Sequence, residues 1–410
     1  MKLWSMKLRP MKIVVLILAV MALWLNEAYA KPNVSVIRIG EHPDKTRLVL
    51  ELSEAPNYRV FLLPNPYRVV IDLPELDWTV PENRIPDGRG VIEALRFGLF
   101  AAGTSRVVLD LKQPALVKSV FVLPPKDGRP HRLVVDVEPV SVAAFNAAPQ
   151  DRLAVSSKQP LRVAQPAIPA DVAPKAAGDA RPTIVIDPGH GGVDPGSTSV
   201  TGLVEKKLAL DYAKELKRQL EASGRFRVVL TRDRDVFLAL RDRIEIAHQA
   251  KGNLFVSLHA NNHKSRKIKG FSVYTLSEKS SDAEARNLAT KENKADIIAG
   301  FDLSEQTEVV RDILIDLAQR ESKNQGNQFA TTVIDEVGQV AGLLGNPHRY
   351  AGFAVLKSPT IPSVLIEIGY LSNKTEEKRL RDPGYRKKLM SALARSIGSY
   401  FEENQTFNRY

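Results

Sequence analysis

Four side chains in the C-terminal half of this 410-residue sequence stand where metal chemistry could use them. The apolar run Thr183-Ile-Val-Ile186 leads into Asp187-Pro-Gly-His-Gly-Gly192, Leu254-Phe-Val-Ser-Leu258 into His259-Ala-Asn261, and Ser363-Val-Leu-Ile366 into Glu367-Ile-Gly-Tyr370. Glu205 opens the helical stretch after the first of these loops, close enough in sequence to sit near His190. Open α/β sheets place ligands outside the carboxyl ends of their strands, so three such endings predict one shared rim. Zinc takes nitrogen and oxygen ligands, and its catalytic sites keep three protein ligands and one open position. Two imidazoles and one carboxylate fill that set; the remaining carboxylate can take a proton from water and pass it to a leaving nitrogen. Each residue also has an ordinary reading. His190 could be a loop histidine, His259 a hydrogen-bonded strand histidine, Glu205 an acid favoured by a helix N-terminus, and Glu367 the partner of a nearby base. Their joint placement at strand ends of one sheet favours the metal. His248, in a helix, His263, in a basic loop, and His348 receive no role.

The elements that must position these residues alternate. Strands at 183–186, 227–230, 254–258, 271–276, 353–356 and 363–366 are interleaved with helices at 205–221, 240–250 and from 375 to near 401. This pattern predicts an α/β domain over 181–410, with a mostly parallel sheet flanked by helices. Ahead of it, 141–180 holds 12 Ala and 5 Pro, the composition of a solvated linker. Residues 33–140 read as a small all-β, sandwich-like domain built by duplication. The strands Thr46–Leu52, Tyr58–Pro64 and Tyr67–Pro74 are echoed by Ser105–Leu111, Val117–Pro124 and His131–Val137.

Composition narrows the function classes. With no Cys, disulfide scaffolds, thiol nucleophiles, thiolate zinc sites and a lipid-modified N-terminal Cys are all excluded. Residues 1–30 have the layout of a signal peptide: a basic start, the 13-residue apolar run Ile13–Leu25, and Ala28-Tyr-Ala30. That run spans about 20 Å as a helix, short of a ~30 Å hydrocarbon core. The expectation is export with cleavage and no stable membrane span. The net charge is +11, of which the first thirty residues hold +3. The remaining +8 is interleaved with acids, which argues against nucleic acid and is compatible with an acidic wall polymer.

The blocks around His190 and Glu205, Ser257-Leu-His-Ala-Asn261 and Leu365-Ile-Glu-Ile-Gly-Tyr-Leu-Ser-Asn373 resemble the zinc-dependent N-acetylmuramoyl-L-alanine amidases of the amidase 3 family. Residues 34–140 resemble the AMIN domain, which in that family binds peptidoglycan and directs the enzyme to the septum. The resemblance implies Zn2+ held by His190, Glu205 and His259, and Glu367 as the catalytic acid/base. It implies a periplasmic cell-division amidase that splits septal peptidoglycan. A further implication concerns the 76 residues between strands 271–276 and 353–356, more than a crossover needs. Related division amidases carry an inserted helix that caps the zinc until a LytM-domain activator displaces it. Within 277–345, Glu292 is the capping candidate and Glu284 the alternative. Another zinc peptidoglycan peptidase, or a non-catalytic wall-binding scaffold, remains the competing reading.

Overall fold

The computed structural model describes residues 31–148, 154–155, 179–300 and 313–407. The presumed leader, 1–30, and most of the Ala/Pro-rich stretch lie outside the described residues. The N-terminal domain is built from β1 (Asn33–His42), β2 (Lys45–Leu52), β3 (Arg59–Leu63), β4 (Arg68–Pro74), β5 (Asp77–Trp78), β6 (Ile92–Ala101), β7 (Thr104–Leu111), β8 (Ala115–Leu123) and β9 (His131–Pro139), joined by a short tenth strand. They make two facing sheets, β5-β1-β2-β9-β8 and β10-β3-β4-β7-β6, where β10 is Ala154–Val155. Leu48, Leu50, Val69, Ile71, Val107, Leu109, Leu133 and Val135 fill the space between them. Period-two alternation sends one residue set of each strand inward.

The expected duplication is present with its first strands exchanged. β2 of the first unit pairs with β9 of the second, and β7 of the second pairs with β4 of the first. Two equivalent ion pairs fasten the exchange, Arg47 with Asp136 (2.6 Å) and Arg106 with Asp72 (2.6 Å). The stretch expected as linker starts with structure. Helix α1 (Val142–Ala147) buries Phe145 edge-on to Tyr67, with ring centroids 4.8 Å apart.

The C-terminal domain contains β11 (Thr183–Pro188), α2 (Glu205–Ala222), β12 (Arg227–Leu230), α3 (Leu240–Gln249), β13 (Leu254–Asn261), β14 (Phe271–Leu276), α4 (Ala283–Glu292), α5 (Ala295–Ile298), α6 (Ile313–Gly338), β15 (Leu343–Ala351), β16 (Ser363–Tyr370), α7 (Lys374–Arg381) and α8 (Pro383–Phe407). The sheet runs β12-β11-β13-β16-β14-β15. The first four strands are mutually parallel, and β14 runs antiparallel to β16. α2, α6 and α8 cover one face through Leu216, Phe329 and Leu393, while α3 and α4 cover the other through Ile246 and Leu288.

One expected strand is misplaced. Ala354–Leu356 is a turn of 3₁₀ helix, and the edge strand is β15, just before it. β15 contains Gly345 and Pro347, and among the described residues it pairs only with β14. Proline costs no ladder bond on a sheet edge, so the residues that argued against a strand are tolerated there. Within the insertion, α4 and α5 are separated at Asn293–Lys294.

Candidate metal centre

β11, β13 and β16 lie side by side and end on one rim. Asp187 pairs in register with Ser257, and His259 with Glu367. The rim is held from below by Asp187, which is buried. Thr231 and Arg243 donate to its Oδ1 (2.6 and 2.8 Å), and Ser257 donates to Oδ2 (2.7 Å). Arg243 also donates to the carbonyls of Pro188 (2.9 Å) and His190 (2.9 Å), and Arg232 to those of Pro188 (3.0 Å) and Gly189 (2.8 Å). Both arginines are fully enclosed. They immobilise a loop in which His190 has φ of 59°, a left-handed conformation that non-glycine residues adopt only where surroundings enforce it.

The imidazoles meet edge to face, with ring centroids 4.9 Å apart. Nδ1 of His190 lies 2.8 Å from Asp194 Oδ2, which fixes the tautomer and leaves the Nε2 lone pair facing the centre. That Nε2 is buried with no hydrogen-bond partner among the described residues. It lies 3.1 Å from Glu205 Oε1, and His259 Nδ1 lies 3.0 Å from the same oxygen. Glu205, the first residue of α2, is fully buried and accepts from the backbone N–H groups of Ser197 (2.7 Å) and Ala260 (2.9 Å). Burial opposes its charge, but His190 and Lys291 outweigh burial and hold the carboxyl well below its ordinary range. A side chain at Gly189 would come within 2.3 Å of the His259 ring, so only glycine lets that ring lie against the loop.

A fourth donor enters from the insertion. Glu292, the last residue of α4, places Oε2 3.3 Å from His190 Nε2 and 3.4 Å from His259 Nδ1. His190, His259 and Glu292 offer atoms within 4.8 Å of one another, a spacing able to hold a metal ion. Glu205 Oε1 sits against the same two nitrogens. Glu284 goes elsewhere, pairing with Arg349 (2.8 Å). Around the centre, between Gly189, His190, His259, Glu292, Phe353 and Leu365, the remaining space is about 10 Å³. That is at most room for one water.

Glu367 is fully buried, and among the described residues neither of its carboxyl oxygens has a hydrogen-bond partner. Burial, then the neighbouring Glu205 and Glu292, push it well above the ordinary carboxyl range. Buried polar atoms without partners are rare and need a reason; a proton-transfer role is one.

The structure therefore brings together His190, Glu205, His259 and Glu292, with Glu367 alongside. Asp194, Arg232 and Arg243 were not anticipated. Asp194 had a usable signal, a carboxylate four residues after a candidate ligand. The arginines had none, since Thr231-Arg-Asp-Arg-Asp235 reads as an exposed turn and Arg243 as an ordinary helix residue. His248, His263 and His348 lie apart from the centre, bonded to Ser358, Ser265 and Thr275.

Fold and site define a class: an α/β domain carrying a histidine–carboxylate centre fit for a divalent metal, beside a buried acid. Residues 184–399 match the N-acetylmuramoyl-L-alanine amidase family, and 36–137 match the AMIN domain. The chain is 34% identical to the N-acetylmuramoyl-L-alanine amidase AmiC of Neisseria meningitidis serogroup B, over 90% of each chain. It is 31% identical to AmiC of Escherichia coli O6:H1, over 93% of this chain and 92% of that one. The solved AmiC2 amidase of Nostoc punctiforme aligns with 54% of this chain and 97% of its own at 28% identity, with a TM-score of 0.41. The chain belongs to the N-acetylmuramoyl-L-alanine amidase family.

Proposed function

We propose that this protein hydrolyses the amide between the lactyl group of N-acetylmuramic acid and L-alanine in peptidoglycan, using zinc held by His190, Glu205 and His259. The observation that carries the reading is the convergence of these three side chains on one point beside Glu367, together with the unpartnered, inward-facing Nε2 of His190. Zinc bound there supplies Lewis acidity and makes water a nucleophile at neutral pH. The chain's own residues do the rest. Asp194 holds the His190 tautomer. Glu367, in its ionised form, takes the proton of the attacking water and delivers it to the departing L-alanyl nitrogen. The buried rim excludes other water.

Export to the periplasm, cleavage of the first thirty residues, wall binding through the N-terminal domain and a role at the septum belong to the same reading. The AMIN match and the AmiC relatives support the wall-binding and periplasmic parts of it, and the layout of residues 1–30 supports cleavage. Self-inhibition belongs to it too: with Glu292 between the histidines and about 10 Å³ left at the centre, no glycopeptide can enter until α4 moves. A LytM-domain activator is the proposed displacer.

Digestion of purified sacculi, with product masses read before and after chelation, tests the activity. Free stem peptides that vanish on chelation and return with zinc are expected; shortened or uncrosslinked stems would instead identify a peptidase. Glu367→Gln should bind zinc normally and lose about 10²-fold or more in turnover. His190→Ala should lose the metal itself.

A further inference from the structure

The insertion helix that carries Glu292 is gripped from outside its own domain. α5 follows α4 after only two residues and ends at Ile298. The last carbonyls of a helix have no partner within it. Here the carbonyl of Ile297 accepts from Arg68, that of Ile298 from Arg96, and those of Ala299 (3.1 Å) and Gly300 (3.2 Å) from Arg106. Four consecutive carbonyls are thus met by three guanidinium groups. All three arginines belong to the N-terminal domain, on the adjacent strands β4, β6 and β7. Arg96 and Arg106 are themselves aimed by carboxylates of the same sheet, Asp110 and Asp72.

The contact is built rather than incidental. The outward face of this sheet, through Phe61, Val70, Phe100 and Val108, shares an apolar cluster with Phe237 and Ala299 of the C-terminal domain. Phe100 stacks on Phe237 at 6.0 Å, and Phe237 N–H donates to the Leu99 carbonyl (3.0 Å). The two backbones touch at a pair of glycines. A side chain at Gly98 would lie 2.4 Å from the Gly192 carbonyl carbon, and one at Gly192 would lie 1.9 Å from the Leu99 oxygen. Gly192 belongs to the loop that carries His190.

We propose that the β4-β7-β6 face of the N-terminal domain is an intramolecular docking surface for the end of the regulatory helix. Arg68, Arg96 and Arg106 clasp residues 297–300 and thereby keep Glu292 seated between His190 and His259. The domain that resembles a wall-targeting module is also the brake on the enzyme beside it. The proposal rests on the reading of Glu292 as a plug.

The test uses the full mature chain without activator. Basal solubilisation of sacculi is measured alongside hydrogen exchange of the amides in 283–300. Arg68→Ala/Arg96→Ala is expected to raise basal turnover at least about fivefold, the low end of ordinary site-to-site coupling, and to speed exchange across α4 and α5. Phe100→Ala, which removes the stack on Phe237 and the ring against Arg106 while leaving all three arginines and the sandwich interior in place, should do the same. Combined with Glu292→Ala, neither change should add further turnover, because the plug is already gone. If Glu292→Ala raises turnover while the arginine and Phe100 variants change neither turnover nor exchange, the clasp is wrong and the plug stands. If Glu292→Ala leaves turnover unchanged, the plug reading falls and takes the clasp's regulatory role with it.

Discussion

His190 illustrates how much neighbouring chemistry a single ligand needs. Its ring is useful only with the proton on Nδ1, and Asp194 puts it there from 2.8 Å. Replacing Asp194 with Ala removes that partner while leaving both histidines and Glu205 in place. Zinc affinity is expected to fall about 10–100-fold, the usual cost of losing a carboxylate behind a metal-bound imidazole. Competition with a zinc chelator of known strength measures it; unchanged affinity would mean that the loop alone fixes the ring. The residues that converge here were legible in the sequence because scarce residue types follow apolar runs. Asp194 was overlooked although it stands four residues after His190, because a lone Asp in a Gly-rich loop also looks like turn chemistry.

At the scale of elements, the site depends on a loop whose carbonyls are tied to two enclosed arginines. Arg243 lies on α3 and Asp187 on β11, so their 2.8 Å pair joins a helix to the strand end that presents His190. Removing one partner of a buried ion pair leaves the other charge uncompensated, at a cost of about 3–5 kcal/mol. Arg243→Met should therefore lower the unfolding free energy of the C-terminal domain by about that amount in urea titrations, whereas a change under 1 kcal/mol would show that the pair is marginal. The helices and central strands could be read from periodicity. The edge strand β15 could not, since its Gly and Pro are signals against a strand unless the strand is known to lie at an edge. The break between α4 and α5 was also hidden. Asn293 is held there by tertiary bonds, donating to the Gly352 carbonyl (2.8 Å) and accepting from the Ala354 N–H (2.7 Å).

For the whole molecule, the sequence showed two folded regions but not that they would be seated on one another. The outward face of β4 carries Val70 between Arg68 and Asp72, and that of β7 carries Val108 between Arg106 and Asp110; Arg132-Leu-Val-Val-Asp136 of the other sheet has the same pattern, so alternation did not mark which face would be covered. The exchanged halves of the N-terminal domain also make its stability acid-sensitive. Bonding to Arg47, joined by Lys45 and Ser119, outweighs burial and holds Asp136 far below the ordinary carboxylate range. A depressed carboxyl contributes stability that is complete above its unfolded value of about 3.9 and is lost as pH falls toward its folded one. Between pH 5 and pH 2 the domain should lose more stability than Asp136→Asn loses over the same interval. Parallel acid titrations of the two proteins check this, and equal losses would overturn it.

Duplication gave this domain two matching hands. One hand, with Arg106, Asp72 and Phe61, is turned inward and closed on its neighbour. Its counterpart on the other sheet, Arg47 with Asp136 and Phe121, faces outward, and the Arg47 side chain is one-third exposed. Whatever the outer hand takes hold of, the inner one can keep its grip. On the proposed reading, anchorage and restraint fall to separate surfaces, so an enzyme already fastened to its polymer would stay locked until something else turns the key.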